Sequence, residues 1–263
     1  MYTLISSKDN PTVKQAHKLL GSAHERKSKR MYIIEGQRLC GDALISGAAI
    51  ETLFFTEEAQ ARSADLIECL AAEAKNTVML TQELFEKVSD TKTPQGICCV
   101  CKMPEDNAVE IKQDGRYIAL ENISDPSNMG TILRTAEALG FDGAIISTDS
   151  CDVYNPKVLR GSMGAVFRLP VFHTDDFPKF MQECKGRGMR PIAAVPDRNA
   201  VNITSVRFFK GVLMCIGNEG AGLTEDTIRS CGEKVTIPMT GRAESLNASI
   251  SAAILMWEMS RGK

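Results

Sequence analysis

The sequence predicts an α/β protein of two domains, a small N-terminal one and a C-terminal one around a parallel sheet. Three observations carry this. Strand-length apolar runs alternate with helix-length segments from residue 31 to the C-terminus. The runs at 192–195 and 212–216 are apolar throughout, as parallel strands covered on both faces are. Between the two alternating halves, 105–114 is polar and without period, which reads as a linker. The expected domains are therefore 1–104 and 115–263.

Each element has a local reason. Asn10-Pro11 opens the first helix, with Asn10 as cap and Pro11 at the first helical position. Val13, Ala16, Leu19 and Leu20 then recur at helical spacing. A strand at 31–35, a helix at 36–46 and a strand near 53–55 follow. Residues 59–76 are rich in Ala and Glu and free of Gly and Pro, so they read as one helix. A strand at 78–80, a short helix at 82–88 behind Thr81 and a strand at 96–102 complete the first domain. In the second, strands are expected at 117–120, 143–147, 168–172, 192–195, 212–216 and 235–237. Helices at 129–139, from Asn155-Pro156, and at 176–185, 224–231 and 245–259 alternate with them.

Composition narrows the function classes. The 263 residues are 43% hydrophobic and 24% charged, enough apolar material for a sizeable core. The net charge of −2 does not mark a nucleic-acid binder, so any such charge must be local. The first thirty residues supply it: Lys8, Lys14, Lys18, Arg26, Lys27, Lys29 and Arg30 stand against Asp9 and Glu25. A solvated helix face accounts for a charge run alone, and a phosphate-contacting arm is the functional alternative. No apolar run approaches the roughly 18 residues of a membrane span, and residues 1–11 lack the apolar core of a signal peptide. The odd count of nine cysteines reads as free thiols in a reducing cytoplasm. Cys98, Cys99 and Cys101 lie within one strand, with no second Cys/His pair at zinc spacing. A buried strand explains them, and no metal is expected.

Open α/β sheets bind ligands beyond the carboxyl ends of their strands. Three such ends are unusual. The first is Glu121-Asn-Ile-Ser-Asp-Pro-Ser-Asn128-Met-Gly130-Thr-Ile-Leu-Arg134. Asn128 can cap the helix and hold a hydroxyl or phosphate, and Arg134 offers a rigid fork of donors. A plain capped helix with an exposed Arg is the simpler account of this segment alone. The second, Ile216-Gly217-Asn218-Glu219-Gly220-Ala221-Gly222, allows close backbone approach to a ligand, or is merely a tight turn. It is neither a dinucleotide fingerprint, since Glu225 stands at the third Gly, nor a Walker loop. The third runs from Ile237-Pro-Met239 through Gly241-Arg242 to Ser245-Leu246-Asn247, where Ser245 can cap the terminal helix and reach a substrate. Alone, it is a tightly packed terminal helix.

Together these segments resemble the SpoU/TrmH family of knotted RNA 2′-O-methyltransferases. The matching motifs are Asn128-x-Gly130-x-x-x-Arg134, Arg160-Gly-Ser-Met-Gly-Ala165, Ile216-Gly-Asn-Glu-Gly220, and Ile237-Pro-Met through Ser245-Leu-Asn247. The resemblance covers 117–261 closely. Over the first half it rests on Asn10-Pro11, the basic helix and Ile34-Glu35-Gly36, which look like the family's small substrate-binding domain.

The resemblance implies a deep trefoil knot in the C-terminal domain, a homodimer, and S-adenosylmethionine bent within the knot. It places cofactor contacts at Gly217, Glu219, Ile237, Met239 and Leu246, largely through backbone groups. The terminal helix, with Ile254, Leu255 and Trp257, suits the dimer interface. The catalytic set carried over is Asn128, Arg134, Glu219, Ser245 and Asn247. Because a guanidinium is essentially always protonated, Arg134 is better read as stabilising the alkoxide and anchoring the adjacent phosphate than as a base. Asn128 and Ser245 would position the ribose, Asn247 would order the loops, and Glu219 would orient Asn128 or Arg134. RNA contacts are expected from Arg134, Arg160, Lys14, Lys18, Arg26, Lys27, Lys29 and Arg30. A separate substrate domain favours ribosomal RNA over transfer RNA. Two other classes stay open: a non-catalytic RNA-binding member, which cofactor titration would separate, and an unrelated nucleotide enzyme such as a dehydrogenase or kinase, which NAD and ATP binding would reveal.

Overall fold

A computed structural model describes residues 2–105 and 110–261. The chain folds as two compact units, Met1–Ala108 with Tyr154–Phe167, and Val109–Val153 with Arg168–Lys263. Residues 106–109, inside the expected linker, lie outside the described residues.

The first unit begins with β1 (Thr3–Ile5), α1 (Pro11–Gly21), α2 (Ala23–Lys29), β2 (Met31–Glu35) and α3 (Gln37–Ile45). It continues through β3 (Ile50–Thr56), α4 (Glu57–Arg62), α5 (Ala64–Glu73), β4 (Asn76–Leu80), α6 (Gln82–Phe85), a 3-10 turn at Glu86–Val88 and β5 (Ile97–Lys102). The Asn10 side chain accepts the Thr12 N–H, with Pro11 at the first helical position. The basic helix breaks at Ser22, whose hydroxyl accepts the Glu25 N–H and starts α2. The helix expected over 59–76 likewise breaks at Ser63. Thr81 makes no capping side-chain bond. The sheet order is β1-β4-β3-β5-β2, with β5 antiparallel to β2 and β3. Successive residues of β5 enter opposite cores: Cys98 packs with Val13, Leu19 and Phe85, while Cys99 and Cys101 pack with Leu39, Ile67 and Leu70. Burial pushes the Cys98 thiol well above its ordinary range.

The second unit contains β6 (Arg116–Leu120), α7 (Pro126–Ala138) and β7 (Gly143–Ser147). Then α8 (Pro156–Ser162) and a 3-10 turn at Ala165–Phe167 belong to the first unit. There Tyr154 stacks on Tyr32 at 4.6 Å, Leu159 is buried, and Arg160 pairs with Asp90 at 2.8 Å. Local periodicity does not reveal which core a helix joins, so this segment falls outside the contiguous 115–263 expected from sequence. The second unit resumes with β8 (Val171–Thr174), α9 (Phe177–Gly186), β9 (Arg190–Ala194), β10 (Val201–Asn202), a 3-10 turn at Ile203–Ser205 and β11 (Val212–Ile216). It ends with α10 (Glu225–Cys231), β12 (Glu233–Thr236) and α11 (Ala248–Arg261).

These seven strands form one sheet in the order β10-β12-β9-β11-β6-β7-β8, every neighbouring pair parallel. The chain builds outward from β6 through β7 to β8, then returns to the other side, where β11 inserts between β9 and β6. The strand order therefore reverses at β6/β11, and the loops leaving those two carboxyl ends diverge there. Two helix starts differ from expectation. Asp125, not Asn128, caps α7 by accepting the Ser127 N–H. Asn247, not Ser245, caps α11: its Oδ1 accepts the Ser249 and Ile250 N–H groups at 2.9 and 3.3 Å.

Candidate active site

The Asp125 cap frees Asn128, which lies in the first turn of α7, is 5% exposed, and points its amide at two other loops. Its Nδ2 donates to Glu219 Oε1 at 3.0 Å, and its Oδ1 accepts from Asn247 Nδ2 at 3.0 Å. One amide thus joins its own helix to two segments that lie 91 and 119 residues away in sequence. Glu219 also accepts the Ser124 N–H, the Ser124 hydroxyl and the Asp125 N–H. Partial burial pushes the Glu219 carboxyl up, but these donors, Asn128 first, outweigh it and hold the group at about 2. Asn218 adds a further tie, its Nδ2 donating to the Asn122 carbonyl at 2.8 Å.

The glycines of the second loop serve the loop itself. Asn218 and Gly222 exchange both backbone hydrogen bonds. A Cβ on Gly217 would stand 2.1 Å from the Gly222 carbonyl carbon and the Leu223 nitrogen. No side chain can be accommodated there.

Arg134 and Ser245 are exposed, and neither side chain makes a hydrogen bond or ion pair with any described residue. Arg134 lies on α7, six residues beyond Asn128. Residues 238–246 make no hydrogen bond among the described residues. Their peptide groups are free to bind, flanked by the partly exposed apolar side chains of Met239 and Leu246, with Ile237 half-buried at the strand end. Unpaired main-chain donors and acceptors between apolar side chains suit a nucleoside-type cofactor such as S-adenosylmethionine. Cys151, bonded through its N–H to the Ile123 carbonyl, lies beside the laced loops, and burial pushes its thiol up to about 12.

In the first unit the basic residues divide. Lys18, Lys27 and Lys29 are exposed, and Lys14 is exposed while pairing with Asp9 at 2.7 Å. Arg26 is 2% exposed and donates to the Leu19 and Leu20 carbonyls at 2.6 and 3.1 Å. It closes the end of α1, and the expectation that it contacts RNA is corrected on that ground. Arg30 has positive φ, ends α2 and donates to the Pro104 carbonyl at 2.5 Å. Arg160 stands in the first unit, a third exposed, on Asp90. Sequence reasoning passed over Glu121, which the structure places under the two loops. Its buried carboxylate left no signal except its position at a strand end.

Two family models match the chain: the SpoU rRNA Methylase family over 115–257 and the MRM3-like substrate binding domain over 10–99. The 23S rRNA (guanosine(2553)-2′-O)-methyltransferase RlmP of Bacillus subtilis is 30% identical over 258 residues, covering 97% of this chain and 98% of its own. The 23S rRNA (uridine(2479)-2′-O)-methyltransferase of Streptomyces viridochromogenes is 28% identical, with 96% and 90% covered. The crystal structure of an AdoMet-bound rRNA methyltransferase from Sinorhizobium meliloti superposes with a TM-score of 0.87 at 27% identity, over 99% of this chain and 98% of that one. With its model matched over more than half of the residues, and with relatives and structures aligned end to end, the chain belongs to the SpoU rRNA methylase family.

Proposed function

We propose that this protein transfers a methyl group from S-adenosylmethionine to a ribose 2′-hydroxyl of ribosomal RNA. The observation that carries the reading is the Glu219–Asn128–Asn247 relay, which draws all three loop motifs together at the strand-order reversal, with Arg134 exposed further along α7. Ribosomal RNA, rather than transfer RNA, is supported by two relatives that match the whole chain and whose names specify 23S rRNA, and by the substrate-binding model over the first unit.

The bound cofactor supplies a methyl already activated by a sulfonium. The protein's share is then positioning and charge stabilisation. Gly217, Glu219, Ile237, Met239 and Leu246 would hold the cofactor, chiefly through main-chain groups. Asn128 has one amide hydrogen left after its two bonds, and this hydrogen and the Ser245 hydroxyl orient the ribose. The Arg134 guanidinium faces the alkoxide that develops as the hydroxyl's proton passes to solvent water and the oxygen takes the methyl from the sulfonium. Its second edge holds the neighbouring phosphate. Chemistry at the 2′-hydroxyl restricts the substrate to RNA. Lys14, Lys18, Lys27 and Lys29, with Arg30 and Arg160, grip the phosphate backbone from the first unit.

Three further features belong to this reading. The segment from β11 to α11 forms a trefoil knot. The protein is a homodimer, joined through the α11 residues Ile250 and Trp257, both exposed, and the half-buried Ile254 between them, whereas Leu255 is buried in its own unit. It works in the cytoplasm; no helix among the described residues is long and apolar enough to cross a membrane.

The test is methyl transfer from labelled S-adenosylmethionine to ribosomal and transfer RNA from cells lacking the protein. Label recovered as 2′-O-methylribose in ribosomal RNA is expected, with Arg134→Ala about 10³-fold slower and equally stable. Label in transfer RNA alone overturns the substrate. Cofactor binding absent altogether favours the non-catalytic reading.

A further inference from the structure

The deepest polar group under the two laced loops is Glu121, the residue that follows β6. It is 3% exposed. Its Oε2 accepts the Thr224 N–H at 2.9 Å, and its Oε1 accepts the Thr224 hydroxyl at 2.8 Å and the Thr227 hydroxyl at 2.6 Å. Its own N–H donates to the Ile216 carbonyl at 2.9 Å, the last residue of β11. Glu121 therefore touches both ends of the 217–223 loop: Ile216 where the loop leaves the sheet, Thr224 where α10 begins. The next residue, Asn122, has φ +56, is held by Ser147 through its N–H and its Oδ1, and receives the Asn218 amide on its carbonyl.

A carboxylate out of water is costly unless its lone pairs are filled by good donors. Here three donors fill them, and all three come from the start of α10. No other residue type would serve as well. Gln would turn an NH2 toward one of the three donors, and Asp is a methylene too short.

We propose that Glu121, acting through Thr224 and Thr227, is a positioning residue that sets the 217–223 loop for S-adenosylmethionine. This rests on the methyltransferase reading and adds to it a residue outside the family motifs that carry the chemistry. Loss of the clamp lets the loop's exit drift while its entry stays fixed to β11, so cofactor affinity falls while RNA affinity does not.

The experiment is isothermal titration of the full chain with S-adenosylmethionine, with steady-state kinetics beside it. Thr227→Val keeps the shape and deletes one donor; Thr227→Ser keeps the donor. Binding about tenfold weaker is expected for Thr227→Val and for Glu121→Gln, with the KM for S-adenosylmethionine raised in step, the KM for RNA unmoved, and Thr227→Ser close to wild type. Ser230→Ala removes the Gln182–Ser230 bond at the far end of the same helix and serves as the control for general loosening. Equal weakening by Ser230→Ala, or unchanged binding in Thr227→Val and Glu121→Gln, overturns the proposal. Wild-type protein that does not bind the cofactor overturns the methyltransferase reading, and this inference with it.

Discussion

Two parts of the candidate site are built in opposite ways. The loops at 121–128 and 217–224 are laced by carboxylates and amides at Glu121, Glu219, Asn128 and Asn218. The 238–246 segment carries family motif residues too, yet makes no hydrogen bond among the described residues. A laced loop presents its groups in place before substrate arrives, so the groups it turns to the ribose, Asn128 first, act on the reaction rate, while its cofactor-holding stretch at 217–223 acts on cofactor affinity. An unlaced loop gains its order from what it binds, so its contribution falls on affinity.

The largest effect should come from the laced side. Asn128→Ala removes the centre of the relay and is expected to lower kcat about 10²-fold or more while leaving cofactor affinity nearly unchanged. If affinity falls and kcat holds, the two regions do not divide the work in this way. On the other side, Leu246→Ala should raise the KM for S-adenosylmethionine about tenfold with little change in kcat, from lost apolar contact. Hydrogen exchange sharpens the contrast without mutation: residues 238–246 should exchange rapidly in free protein and slow when S-adenosylhomocysteine binds, with 121–128 slow in both states.

The smallest effect is one of pH. The Glu219 carboxyl is held at about 2 against an ordinary 4.5. A carboxyl held low stabilises the fold fully above its ordinary value and loses that contribution as pH falls from 4.5 toward 2. The difference in thermal midpoint between wild type and Glu219→Gln should be constant from pH 7 to about 5 and shrink below it. A difference independent of pH would mean that the lacing does not depend on the charge.

Much of the secondary structure was legible because its causes are local. Asn10-Pro11 and Asn155-Pro156 open helices where the cap rule puts them, and β11 is as fully buried as its apolar run implies. The misplaced boundaries have local competitors. Asp125 precedes a proline and captures the cap ahead of Asn128, and Ser22 ends one helix and starts the next. The short strands β1 and β10 were missed, because three and two residues hold too little pattern. Among the basic residues, sequence weighted Arg26 and Lys27 alike. Only the fold shows the first buried against α1 carbonyls and the second in water.

The sequence by itself determined the α/β class, the parallel second sheet and the motif residues, since caps, runs and motif spacings are properties of neighbouring residues. Tertiary structure alone decided that Asn128 meets Glu219 and Asn247, that Glu121 lies beneath them, and that residues 154–167 complete the first unit's core. Those outcomes depend on strand order and on which buried polar group finds which donor, and both are settled between residues about 100 positions apart, where no local pattern reaches.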